Sequence, residues 1–388
     1  MGEKRLTYLE GLRGAAAIMV FLCHFGYAFY YALYSTEIAE ANLPGNIDVL
    51  IAVTPLNILY NGKVAVRIFF LLCGYVICIR YFQTRDKNYL VTSAAKRYFR
   101  LIVPILFIEF ITYILMKVGA YHNGAAAVIS HSEDWFMNFN ATEPHFLGML
   151  KEAFFTAFFQ QASTYNNVLW IIKYEFLGSL LVYLILYVTG KWKYRDILYI
   201  ALVLLCIRND YVCILIGMLL CDLMHSESVF LNKFCKNKFI LFLSTVVGMI
   251  FATYPAGGTN LDGTFYRYLG EPRVIIFYVI GCTLLFWVLL NSRMAQKLFE
   301  GKVLQFLGKH SFGIYLVHFP IIATFSAWFL VRLNGRLDYN VLMSVNIILT
   351  AAMVLCAAVL VTKYIEPLGS KLANVVGNKV QAGLAGKE

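Results

Sequence analysis

The chain of 388 residues is 60% hydrophobic and 14% charged, with a mean hydropathy of +0.68, whereas ordinary soluble domains carry about 25% charged residues. That balance excludes a soluble globular protein and indicates an all-α, polytopic integral membrane protein. A net charge of +11 would speak for nucleic acid in a soluble chain. Here the placement of the cations reads as a topology signal, so no nucleic-acid partner is expected.

Runs of about 17–25 apolar residues suit a bilayer core of about 30 Å. They predict about ten transmembrane helices, near 12–34, 63–82, 101–118, 168–188, 196–208, 211–224, 239–254, 273–291, 311–331 and 340–363. Three of these, 196–208, 211–224 and 239–254, are short and suit tilted or partly re-entrant segments. About two thirds of the 33 cations fall on the N-terminal side of these spans, among them Arg85, Lys87, Lys96, Arg97, Arg100, Lys191, Lys193 and Arg195. The positive-inside rule then places both termini in the cytoplasm. A single transmembrane domain is expected over 1–370, followed by a short polar tail over 371–388, in the plasma membrane. None of the nine cysteines falls in an expected outer loop, and only Cys235 falls in an inner one. No disulfide is expected, and no cysteine or histidine spacing suits a metal.

The first apolar stretch carries two ionisable residues, Arg13 and His24, eleven positions apart. At 100° per residue this separation brings both side chains to nearly one helical face, with His24 ~16 Å deeper than Arg13. A cation at the surface above a titratable imidazole at mid-depth suits a reaction across the membrane. A buried neutral imidazole can take the proton of a hydroxyl as that hydroxyl attacks a carbonyl.

The outer segment that follows contains an interfacial piece from Val49 to Tyr60. The second span contains Cys73-Gly74, small residues that let helices approach closely. Arg80 and the cluster Lys96-Arg97-Tyr98-Phe99-Arg100 then form a basic inner rim. Such a rim serves either as stop-transfer charge or as a site for phosphate groups, which guanidinium geometry matches.

Residues 119–167 form the longest outer loop. Trp135, Phe136 and Phe139 in it are either interfacial anchors or a platform for a sugar ring. Asn140-Ala141-Thr142 fits the glycosylation pattern. The fourth span opens with Trp170 and places Glu175 ~10 Å below the outer surface. A carboxylate there needs a partner, water or a proton, so Glu175 is either functional or half of an ion pair, for example with Arg67. His318 and Pro320 lie in the ninth span, where the proline is expected to kink the helix and the histidine to serve as an interhelical contact or a functional group.

At these residues the chain resembles the membrane acyltransferase 3 family. Tyr8-Leu9-Glu10-Gly11-Leu12-Arg13 with His24 is similar to the family's signature of arginine, ten residues and histidine. The run Phe69 to Ile77, the basic segment Arg97 to Pro104, Trp170 with Glu175, the run Leu307 to Pro320 and the ending Glu366-Pro367 look like its further landmarks, in the same order. Two positions depart from the pattern: Glu10 stands where aspartate is usual, and Cys73 where serine is usual. The resemblance implies O-acyl transfer, usually of acetyl from acetyl-CoA, to a hydroxyl of a carbohydrate or another exported acceptor, without a metal. It implies His24 as catalytic base or transient acyl carrier, Arg13 as the residue that positions the donor, and Arg97, Arg100 and Arg80 as holders of its phosphates. Glu175 and Trp170 then line the acceptor side. The rival reading is a multi-pass transporter that uses Arg13, His24 and Glu175 for protons or solute. No inverted repeat is evident in the spans, which speaks mildly against it.

Overall fold

The computed structural model describes residues 6–160, 164–225, 236–257, 261, 263–270 and 274–385. Among these residues every regular element is helical. The principal helices are α1 (Thr7–Phe29), α2 (Gly62–Thr84), α3 (Lys87–Lys117), α4 (Trp170–Thr189), α5 (Arg195–Leu205), α6 (Tyr211–Met224), α7 (Lys238–Ala252), α8 (Val274–Asn291), α9 (Arg293–Phe299), α10 (Lys302–Lys309), α11 (Ser311–Ile321), α12 (Tyr339–Leu360) and α13 (Glu366–Ala385).

Each of the ten apolar stretches is helical, yet only some are long and apolar enough to cross a bilayer. Six described helices pass on length and composition: α1, α2, α3, α4, the run Ser311–Leu333 that begins with α11, and the run Tyr339–Leu384 formed by α12 and α13. A seventh passes if α8 and α9, bent by 100° at Ser292, form one span. Helices α6 and α7 remain short, with 14 and 15 residues. Cys235 and the first residue of the 273–291 stretch lie outside the described residues. The other eight cysteines are free thiols.

Helix α1 is the hub, packed against α2, α10 and α11. It starts at Thr7, five residues before the apolar run, because Glu10 in its first turn complements the positive end of the helix dipole. Arg13 therefore lies ~9 Å inside the helix start rather than at its edge. Close packing rests on missing side chains. A Cβ on Gly14 would run into the Leu304 carbonyl, and one on Gly308 into that of Glu10, so α1 and α10 touch backbone to backbone. Gly74, expected at a close approach, meets the Ile214 carbonyl, and Gly217 meets that of Leu71, which locks α2 to α6.

Helix α3 begins well before its apolar part. Asp86 caps it by accepting from the Asn88 amide at 2.8 Å. The basic segment 96–100 thus lies well inside the helix, about two and a half turns past its start, with α13 packed along it. Helix α11 passes through a π turn at Ile322–Ser326, directly after Pro320. Proline has no N–H to give the carbonyl four residues back. The Asn166 side chain supplies that bond instead, donating to the Leu316 carbonyl at 2.9 Å.

Candidate active site

A cavity of about 810 Å³ opens among α1, α2, α3, α4, α11 and α13. Five cations line it (Arg13, Lys96, Arg97, Arg100 and Lys309) against three carboxylates, Glu10, Glu175 and Glu366. Helical phase explains the contribution of α3: Ser93, Arg97, Arg100 and Pro104 recur three or four residues apart and share one face. Arg97 donates from Nη2 to the Cys73 sulfur at 3.5 Å, while its Nε is buried and has no hydrogen-bond partner. Lys96 donates to Asn374 of α13 at 3.2 Å, and Glu366 accepts from Thr362 at 2.8 Å. The wall is therefore basic and retains at least one unused N–H, which is what an anionic guest requires.

Glu175 reaches this cavity from the first turns of α4. The turn before it is tied to α11: Tyr315 donates its hydroxyl to the Val168 carbonyl at 2.5 Å, and Asn166 holds Leu316. From α4, Glu175 shares the cavity wall with Cys73 and Arg97. The ion pair with Arg67 does not form. Arg67 pairs with Asp210 at 3.1 Å, and Glu175 has no ion pair within 4 Å among the described residues.

His24 does not line the cavity. It lies beyond the cavity's inner end, where Phe69 and Tyr315 form the floor with ring centroids 6.2 Å apart. The Tyr315 ring is 5.7 Å from His318, and His318 Nε2 is 2.8 Å from His24 Nδ1. His318 is fully buried, whereas His24 keeps part of its surface open. Trp135 stacks on the His24 ring at 5.7 Å and 22°, and Phe319 meets it edge-on at 5.5 Å.

The remaining sequence candidates divide. Arg13, Arg97, Arg100 and Glu175 converge on the cavity, whereas Arg80 and Trp170 do not. Arg80 is exposed and sits 4.8 Å over the ring of Tyr89, which itself lines the cavity. Trp170 packs edge-on against Tyr174 at 6.0 Å. The aromatic trio of residues 119–167 packs around His24. Phe136 is fully buried, and Trp135 and Phe139 are committed to His24 and Phe319. Asn140 donates from its Nδ2 to the Tyr165 carbonyl at 2.7 Å. Sequence reasoning missed Lys309, Tyr183, Ser93 and Asn374 as cavity residues. The spacing on α3 would have revealed Ser93, but only the tertiary contacts reveal the others.

The chain is 23% identical over 394 residues to the acyltransferase clz18 of Cochliobolus lunatus, covering 83% of this chain and 84% of that protein. It is 22% identical over 389 residues to the acyltransferase R4 of a Phoma species, covering 82% and 83%. No solved structure matches it. The family model described as acyltransferase domain, of the acyltransferase 3 type, matches residues 6–362, a stretch that carries the Arg13–His24 pair, most of the basic cavity and His318. The chain therefore belongs to the acyltransferase 3 family.

Proposed function

We propose that this protein is a membrane O-acyltransferase that moves an acyl group, acetyl in the simplest case, from cytoplasmic acyl-CoA to a hydroxyl of an exported acceptor such as a carbohydrate. The observation that carries this reading is the basic cavity with the unused Nε of Arg97, whose inner end lies one aromatic layer from the His24–His318 pair. Arg13, Arg97 and Arg100 match the phosphates of a coenzyme A head in charge and in donor geometry. A thin pantetheine arm suits the ~16 Å between the levels of Arg13 and His24. The concentration of cations on this side supports a cytoplasmic cavity mouth and cytoplasmic termini.

In the proposed step, the His24 imidazole takes the proton of the acceptor hydroxyl as the oxygen attacks the thioester carbonyl. The C–S bond then breaks, the acyl ester forms, and the thiolate leaves and takes up the proton as free coenzyme A. Glu175 stands on the inner wall beside Arg97 and Cys73, where it shapes the approach to the thioester. For a chain of this family, acyl transfer gives the basic cavity a substrate, which a transporter reading does not.

The test feeds labelled acetyl-CoA to membranes carrying the wild-type protein and identifies what becomes labelled. His24→Ala should lower transfer by roughly 10²–10⁴-fold, the usual contribution of a general base, at equal expression and equal thermal stability. Transfer that survives the substitution would sink the mechanism. A chain that neither consumes acetyl-CoA nor gains stability with it would sink the acyltransferase reading in favour of transport.

A further inference from the structure

We infer that His318 is a positioning residue that fixes His24 as the Nδ1–H tautomer and so leaves Nε2 of His24 as the basic nitrogen. Two imidazole nitrogens 2.8 Å apart must share one proton, and the surroundings decide who owns it. Nδ1 of His318 lies 3.0 Å from the Ile314 carbonyl oxygen, which can only accept. That nitrogen must therefore carry the N–H. A neutral imidazole has only one, so Nε2 of His318 presents a lone pair. Nδ1 of His24 must then be the donor across the 2.8 Å contact, and the lone pair of His24 is left on Nε2. A cationic His318 would reverse this assignment. Yet His318 is fully buried and forms no ion pair with a carboxylate among the described residues, so burial disfavours that charge.

Three further features fit a positioning role. The two histidine rings differ by only 5° in plane with centroids 5.0 Å apart, which fits an in-plane N–H···N bond. Trp135 on one face and Phe319 at the edge leave the His24 ring little freedom to rotate. Nε2 of His24 has no hydrogen-bond partner among the described residues, although the residue keeps some accessible surface. The chain of hydrogen bonds also ends on a backbone carbonyl, which cannot pass a proton on. His318 therefore orients His24 without relaying protons, and a proton taken at Nε2 must leave from Nε2. In serine-hydrolase triads a carboxylate sets the tautomer of the base; here a neutral acceptor does the same work without a buried charge.

This inference rests on the reading of His24 as the base for its catalytic meaning, but the tautomer can be measured without any acceptor. The full-length protein, labelled with ¹⁵N in both ring nitrogens of its seven histidines and reconstituted in lipid, is read by solid-state NMR. The His24 signals are assigned by their loss in His24→Gln. The expected result is a protonated Nδ1 and a bare Nε2 for His24. His318→Leu should admit the Nε2–H form and lower acetyl-CoA turnover by on the order of 10–100-fold, the usual loss when the partner orienting a functional histidine is removed. His318→Gln supplies an accepting oxygen and should restore both the Nδ1–H signal and most of the turnover. A wild-type His24 protonated at Nε2 would overturn the proposal, whatever the His318 variants do. Failure of the Gln variant to outperform the Leu variant would also overturn it. A confirmed tautomer together with undiminished transfer in His24→Ala would instead refute the base reading and leave the positioning contact standing.

Discussion

Arg97 shows how a single residue can be read at two levels. Its charge was legible as part of a basic rim, but stop-transfer charge and phosphate recognition look alike in sequence. In the fold Arg97 is turned inward onto Cys73, with a buried Nε that nothing in the described protein satisfies, which favours the second role. A hydrogen bond to a charged group contributes about 1.5–3 kcal/mol, which corresponds to roughly 10–150-fold in affinity. Arg97→Ala should therefore raise the KM for acetyl-CoA by about that factor, with a smaller change in kcat. Steady-state kinetics over a range of donor concentrations checks this, and an unchanged KM would remove Arg97 from the donor site. Cys73 adds a further test. Its sulfur lies in the same wall where serine is usual, and a maleimide on it would obstruct the cavity beside Arg97. Alkylation of Cys73 should abolish turnover, excess coenzyme A should protect it, and Cys73→Ser should be active and resistant to alkylation at that site.

At the scale of elements, the helices were readable because apolar length and 3.6-residue periodicity are local properties. The Arg13–His24 stripe was readable for the same reason, since eleven residues on one helix fix a phase and a depth. What the sequence could not show is where a helix begins relative to its neighbours. The depth of Glu175 followed from an α4 that starts at the outer surface. In the fold, Asn166 and Val168 are hydrogen-bonded to α11 near Pro320, a long-range contact that ties down the turn from which α4 starts. The contact also has an energetic role. Asn166 is 1% exposed and supplies the donor that Pro320 withholds from the Leu316 carbonyl. Asn166→Ala should cost about 1–3 kcal/mol, the cost of leaving a buried carbonyl unsatisfied. It should lower Tm and weaken activity together, because the same turn positions Glu175. A second helix seam behaves differently. Gly217→Val would push a side chain into the Leu71 carbonyl and force α2 and α6 apart, at a cost of about 1–3 kcal/mol or more. Thermal unfolding in detergent should show the loss, and an unchanged Tm would mean that the seam yields freely.

Across the whole molecule, the helices do not end together. The run Tyr339–Leu384 has 46 residues, about 69 Å of helix, more than twice the hydrocarbon thickness. Its second half packs along the N-terminal part of α3 and carries Glu366, Ser370 and Asn374 to the cavity. The basic cavity thus has a wall built beyond the bilayer core, on the side where Lys96, Arg100 and Lys309 gather. This arrangement makes a directional prediction. Sealed vesicles should be prepared in both orientations, with labelled acetyl-CoA supplied only from the bulk solution. Inverted vesicles, whose cytoplasmic face is outward, should load acyl groups onto acceptor without permeabilisation. Right-side-out vesicles should do so only after the membrane is opened, since coenzyme A esters do not cross it. Lys96→Glu combined with Arg100→Glu reverses the charge at the mouth and should slow donor capture, with the greatest effect at low ionic strength, where charges are least screened. Equal labelling from both faces of sealed vesicles would overturn the one-sided donor entry on which the mechanism depends.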